Sequence, residues 1–275
     1  MGMVLPELFA KSSQVTAAIL SKAMNKHKDM IVWRKKPSIL EFGFADGHSS
    51  KVHLRPLIPP DYHEFIGTDI SPSMVEYAKK NVSIPRSKFY ELDIATKNLP
   101  EMFCNRFDNV FSFLSMHMVL DPRQGFTNVF KMLKEGGQTF HIFFEKIPSD
   151  GIFETLSKHP KWGKYGQEKM LSAYYDKANP REFYENDLRA AGFKDIKFEV
   201  DRNLAHEYDS AQELRDLSIS INKSIAYVPE EELEEYKEKY MQEVYDQCVA
   251  RTPDNKIVEP LTVKFTLYTV CAQKH

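Results

Sequence analysis

The sequence predicts an α/β protein: a doubly wound, seven-stranded, mostly parallel sheet with an antiparallel last strand and a helical cap. Three observations carry this expectation. Short apolar, strand-like runs alternate with helix-like segments through the first 150 residues, as they do when helices cover both faces of parallel strands. Beyond residue 145 the alternation breaks into stretches too long and too aromatic to be simple connections. The chain then closes on one long strand-like run with no parallel crossover before it, which favours an antiparallel final strand. A chain of 275 residues, 42% of them hydrophobic, can bury the core of one elaborated domain. A single domain over 1–275 is therefore expected, with cap insertions at about 147–178 and 205–258.

Taken in order, Ser38 to Phe42 is a short buried strand, followed by a turn from Gly43 to Gly47 and a helical stretch from Ser49 onward. Phe65 to Thr68 begins a second strand. Ser71-Pro72-Ser73 then supplies a helix cap with proline at the first helical position, ahead of Met74, Val75 and Ala78. Lys88 to Leu92 makes a third strand and Phe107 to Leu114 a fourth; a helix from Arg123 to Lys134 stops at Gly136-Gly137 before a fifth, Thr139 to Phe144. A helix from Pro180 to Ala191, ended by Gly192, leads into a strand at Ile196 to Val200. Residues 210 to 248 read as two helices, the second strongly charged, and the last strand is Thr262 to Ala272.

Charge excludes some classes of function. Thirty-seven basic and 39 acidic side chains leave a formal −2, so no global field recruits nucleic acid or an anionic membrane. Cys104, Cys248 and Cys271 lack the close spacing of a zinc site or a redox dithiol, so no metal is expected and a reducing compartment fits. With neither a secretory leader nor an apolar run of about 18 residues, the chain is expected to be cytoplasmic.

The chemistry begins at the first turn, Glu41-Phe42-Gly43-Phe44-Ala45-Asp46-Gly47, where small residues at 43, 45 and 47 let a ligand touch backbone. A dinucleotide site is disfavoured, because the second glycine of its fingerprint has become Ala45 and the third position is His48. Asp69, 22 residues beyond Gly47, stands at the end of the second strand, where a carboxylate accepts both hydroxyls of an adenosine ribose. Asp93 follows the third strand, in reach of an adenine amino group, and Ile70 and Ile94 can pack on the ring faces. Three strand ends converge on one nucleoside.

In sequential order, the first turn, Thr68-Asp69-Ile70-Ser71, Leu92-Asp93-Ile94 and Leu133-Lys134-Glu135-Gly136-Gly137 resemble the motifs of class I methyltransferases, a Rossmann-like family, over roughly residues 35 to 145. The resemblance implies S-adenosyl-L-methionine as cofactor, with S-adenosyl-L-homocysteine as product. Its site maps onto Glu41, Gly43, Ala45, Gly47, Asp69, Ile70, Met74, Asp93, Ile94 and Ser115. A narrower resemblance, to insect juvenile hormone acid methyltransferases, rests on Glu7 to Gln14, Phe111 to Val119 and Lys158-His159-Pro160-Lys161-Trp162-Gly163-Lys164-Tyr165. It implies methyl transfer to the carboxylate of farnesoic acid or juvenile hormone acid. Where that family usually has tryptophan after the histidine, this chain has Met118.

A carboxylate acceptor, with a pKa of roughly 4 to 5, is already ionised at neutral pH and needs no general base. Orientation in a dry site then carries the catalysis. Gln14, on an amino-terminal segment expected to fold over the cofactor, and His117, at the end of the fourth strand, are the expected hydrogen-bonding residues, with Met118 beside them. Trp162, Tyr165, Tyr174 and Tyr175 are the expected walls of an apolar acceptor pocket. The alternatives are a capping or packing role for His117 and ordinary core positions for the four aromatics. The expected partner is a small apolar carboxylic acid, with neither nucleic acid nor membrane; a homodimer is left open. Two further readings stay open because of Met118: a methyltransferase for another small molecule, and a cofactor-binding paralogue without turnover.

Overall fold

The computed structural model describes residues 5–275. A long amino-terminal helix, α1 (Pro6–His27), precedes the alternating part of the chain. That part runs β1 (Ser38–Phe42), β2 (Glu64–Asp69), α2 (Pro72–Asn81), β3 (Ser87–Glu91), β4 (Phe107–Phe113), α3 (Pro122–Met132) and β5 (Leu133–Phe144). After α4 (Asp150–Ser157) and two short 3-10 turns come α5 (Pro180–Ala191) and β6 (Lys194–Glu207). Helices α6 (Ala211–Ile221) and α7 (Leu233–Gln247) lead to β7 (Thr262–Gln273).

The seven strands form one sheet in the order β3-β2-β1-β4-β5-β7-β6. Strands β1 to β5 are parallel, whereas β7 lies between β5 and β6 and runs antiparallel to both, as expected. Because side chains alternate across a strand, neighbouring residues enter opposite cores. Ile39, Phe65, Phe111, Phe140 and Leu267 face one layer, and Leu40, Ile66, Val110, Phe143 and Tyr268 face the other. The strands therefore read as continuous apolar runs, the mark of a sheet covered on both faces.

Helix α1 is pinned at its carboxyl end. The buried Asp201 of β6 takes the Lys26 ammonium at 2.5 Å and the His27 Nε2 at 2.7 Å. Nearer its start, α1 meets α6 through an exposed bond from Gln14 Nε2 to Glu213 Oε1, 3.2 Å long.

Three expected elements differ in detail. The helix after the first turn is a π-helical turn, Ser50–Leu54, followed by a 3-10 turn, Arg55–Leu57, because Pro56 cannot donate to a continuing α-helix. Helix α3 ends at Met132 rather than Lys134. Gly136-Gly137 instead form an irregularity inside β5, where the Gly136 N–H donates to the Lys274 carbonyl and the Lys274 N–H to Gly137. Strand β6 spans 14 residues rather than the apolar core alone, since as an edge strand it carries charged residues such as Asp195, Glu199 and Arg202 that its sequence pattern masks. Among the described residues, no helix is long and apolar enough to cross a membrane.

Candidate active site

The strand order reverses between β1 and β4, and ligands of open α/β sheets bind outside the carboxyl ends of the strands at such a point. A cavity of about 600 Å³ opens there. Its floor comes from the ends of β1 to β5: Glu41 to Asp46, Asp69-Ile70, Leu92 to Ala95, Phe113 to Ser115 with His117 to Asp121, and Phe144. Its roof comes from α1 (Phe9, Thr16, Ile19), α4 (Phe153), α6 (Leu214, Leu217) and α7 (Tyr240, Val244), closed by Val263 and Phe265 of β7.

The first loop is shaped for close approach. Gly43 is left-handed at φ +66°, and a Cβ on it would lie 2.1 Å from Ser115 Oγ and 2.4 Å from Ser115 Cβ. Only glycine lets β1 and β4 end side by side here. Ala45, also left-handed at φ +51°, turns its N–H onto Asp69 Oδ2 at 3.0 Å. The other Asp69 oxygen takes the Ser71 N–H at 2.8 Å. Burial raises the Asp69 pKa above the usual carboxylate value, and the backbone N–H groups of Ser71, Ala45 and Ile70, with the Lys223 charge, oppose that rise.

Glu41 is 2% exposed, and its single partner among the described residues is Ser50, whose Oγ donates to Oε2 at 2.6 Å. Burial pushes its carboxyl up to about 8, so it holds a proton at neutral pH unless a cation arrives beside it. At the opposite end of the floor, Asp93 is exposed and accepts the Ala95 N–H at 2.9 Å, between the half-exposed Ile70 and the buried Ile94.

His117 is buried, and its Nδ1 accepts the Phe144 N–H at 3.4 Å. The ring proton is thereby assigned to Nε2. Burial, and secondarily the Lys223 charge, lower its pKa to about 3, leaving a neutral hydrogen-bond donor rather than a base. Met118 is half-buried and lines the cavity beside it.

Of the residues expected in the site, Glu41, Gly43, Ala45, Asp69, Ile70, Asp93, Ile94, Ser115, His117 and Met118 come together in this wall. Others do not reach it. Gly47 (φ +75°) serves the turn, the Phe44 ring standing 2.5 Å from where its Cβ would be, and Met74 is fully buried on α2, in the core behind the loop. Gln14 is exposed and turned onto Glu213, because the face of α1 over the cavity is that of Phe9, Thr16 and Ile19.

The four expected aromatic walls also stand outside. Trp162 is buried against Tyr236 of α7, ring centroids 5.4 Å apart. The hydroxyls of Tyr165, Tyr174 and Tyr175 are taken by Glu232, Asp187 and Glu154, which hold the rings among the helices. Trp162 and Tyr175 thereby buttress α7 and α4, whose other faces line the cavity, whereas Tyr174 is held against α5, which does not reach it. The true walls carried a readable signal: Leu214, Leu217 and Ile221 recur at helical spacing, as do Tyr240, Val244 and Cys248. Lys223, on the 3-10 turn Lys223–Tyr227 after α6, also lines the cavity and had no such signal.

Residues 39–137 match a family model described as a methyltransferase domain. The chain is 28% identical over 262 residues to a juvenile hormone acid O-methyltransferase of Bombyx mori, covering 94% of this chain and 92% of that protein. It is 26% identical over 255 residues to a juvenile hormone acid O-methyltransferase of Drosophila melanogaster, covering 90% and 85%. The fold is shared, at a TM-score of 0.52 and 16% identity, with a phosphoethanolamine N-methyltransferase of Haemonchus contortus solved with S-adenosylhomocysteine; the match covers 92% of this chain and 52% of that one. The sheet has the fold of the class I methyltransferases, and the match to a methyltransferase domain supports S-adenosylmethionine as cofactor. Within that class the chain resembles juvenile hormone acid O-methyltransferase along nearly its whole length.

Proposed function

We propose that the protein methylates the carboxylate of a long apolar acid, of the farnesoic or juvenile hormone acid type. The observation that carries this reading is the joining, in one cavity, of a polar floor at the strand ends to an apolar roof of Phe153, Leu214, Leu217, Tyr240 and Val244. The near full-length similarity to two juvenile hormone acid O-methyltransferases supports it.

The floor suits the cofactor in three places. Asp69 presents its carboxylate to the ribose diol, Ile70 and Ile94 bracket a flat ring beside Asp93, and Gly43 exposes backbone to the amino-acid end, with Glu41 behind it. When bound, S-adenosylmethionine supplies a methyl carbon on sulfur; the bond to a carboxylate oxygen forms as the carbon–sulfur pair returns to sulfur, giving an ester and S-adenosylhomocysteine with no proton to move. The residues therefore orient and desolvate. His117, neutral, donates from Nε2 to the acceptor without competing for a proton, and the apolar roof excludes water that would solvate the reacting charges.

The test incubates the protein with methyl-labelled cofactor and a panel of farnesoic acid, shorter and longer fatty acids, farnesol and small phenols. Ester formation on the apolar acids, rising with chain length as more surface enters the roof, is the expected outcome. Transfer only to the phenols would favour a second reading, another small acceptor, for which Met118 speaks because it offers no N–H to a carboxylate.

Asp69→Ala is expected to weaken S-adenosylhomocysteine by about 1.5 to 3 kcal/mol, the range for hydrogen bonds to a charged group. Calorimetric titration reads this directly, and an unchanged affinity would move the ribose away from the end of β2.

A further inference from the structure

We propose that Lys223 is the counter-charge for the acceptor's carboxylate, so that it selects anionic acceptors over neutral ones of the same shape. This rests on the carboxyl-methylation reading and adds to it a residue that the strand-end motifs do not contain.

Lys223 reaches the cavity from the roof, and its backbone is held firmly on both sides. Asn222 Oδ1 accepts the Ser224 N–H at 3.1 Å and the Ser224 hydroxyl at 2.5 Å, and that hydroxyl also meets the Tyr236 hydroxyl at 2.5 Å. Asn222, Ser224 and Tyr236 are all buried. The side chain between these anchors lines the cavity and, among the described residues, makes neither a hydrogen bond nor an ion pair.

Lys223 is half-buried, and partial loss of water around a cation with no partner lowers its pKa from the ordinary lysine value. The nearby Asp69 charge opposes that shift, and the Lys223 charge is felt in turn at His117. Lys223 thus lines the same cavity as Asp69 at the end of β2 and His117 after β4. Asp69 makes no ion-pair contact with the lysine and accepts the Ala45 and Ser71 N–H groups. The other cavity lysines, Lys97 and Lys169, are exposed and keep their hydration.

An anionic ligand is what this arrangement lacks, and a bound sulfonium would add a second positive charge that attracts the same anion. Because the acceptor's negative charge is consumed during transfer, the ion pair is stronger before the transition state than in it. Lys223 is thus a positioning residue whose loss appears in KM rather than kcat.

The experiment compares wild type, Lys223→Met and Lys223→Arg, all loaded with S-adenosylhomocysteine, for binding of farnesoic acid and of farnesol, which differ only at the head group. The expected result is a loss of about tenfold to a hundredfold for the acid in Lys223→Met, no change for the alcohol, and recovery in Lys223→Arg. In turnover, KM for the acid rises by a similar factor while kcat holds within about threefold. Equal losses for acid and alcohol would reduce Lys223 to a wall residue and overturn the proposal. Weakened S-adenosylhomocysteine binding in Lys223→Met would assign the lysine to the cofactor's own carboxylate and overturn it equally. Wild type that esterifies no acid would refute the parent reading, whereas wild type that esterifies acids with a Lys223→Met variant of unchanged KM would refute only this inference.

Discussion

Gly43→Ala is expected to cost about 2 to 5 kcal/mol of folding stability and to remove cofactor binding. Two costs combine. A left-handed backbone carrying a Cβ costs about 1 to 2 kcal/mol, and overpacking costs about 1 to 3 kcal/mol more. The collision is not with the tip of a flexible chain: Ser115 Cβ would be 2.4 Å away, so the ends of β1 and β4 would have to part. Urea denaturation and calorimetry with S-adenosylhomocysteine measure both effects. The double variant Gly43→Ala/Ser115→Gly separates them, since it relieves the collision and leaves the backbone cost. A single variant as stable as wild type would mean that the two strand ends are not in contact.

The second large effect concerns pH. Glu41, raised to about 8 in the fold against an ordinary 4.5, keeps a proton that the unfolded chain gives up. Between those two values the native state binds more protons, so Glu41 makes stability fall as pH rises, by up to about 1.4 kcal/mol per pH unit and on the order of 5 kcal/mol in all. Glu41→Gln cannot titrate. Its stability relative to wild type is therefore expected to improve from pH 5 to about pH 8 and then level off, and taking the difference cancels the titration of every other group. Denaturation midpoints at pH 5, 7 and 9 decide it; a constant difference would place an unrecorded partner beside the carboxyl.

Much of this architecture was legible in the sequence because the parallel strands bury both faces. Ile39-Leu40, Phe65-Ile66 and Val110-Phe111 are apolar in succession, each pair split between the two cores. The strand-end site was legible for a related reason: the register of a strand fixes which residue ends it, so Asp69 and Gly43 could be placed without coordinates. Helical residues lack that certainty. Gln14 lies on the face of α1 turned away from the cavity, and the sequence around it does not say which stripe of the helix faces a ligand. Trp162 and Tyr175 show a second limit. Large aromatics mark tight packing, and tight packing occurs behind a wall as readily as in it. Lys223 shows a third, since a lysine between an amphipathic helix and a charged one reads as solvated until its flanks, Asn222 and Ser224, are seen to be buried.

The pin at the end of α1 has a consequence for motion. The helix holds 22 residues, about 33 Å at 1.5 Å per residue, and its buried attachment to Asp201 lies at one end while Phe9, Thr16 and Ile19 hang over the cavity toward the other. Such a helix opens unevenly. Amide hydrogens near Met24 are tied to the sheet through the Asp201 pairs and exchange with solvent only on deep unfolding. Those near Ser12 and Ser13 are held by apolar contacts and one exposed bond to Glu213, so they belong to a shallower opening. Exchange rates measured along this one helix would then rise toward its start, and a ligand filling the cavity would slow the early amides while leaving the late ones as they were. The roof of the site is in that sense a lever, with its fulcrum on the far edge of the sheet.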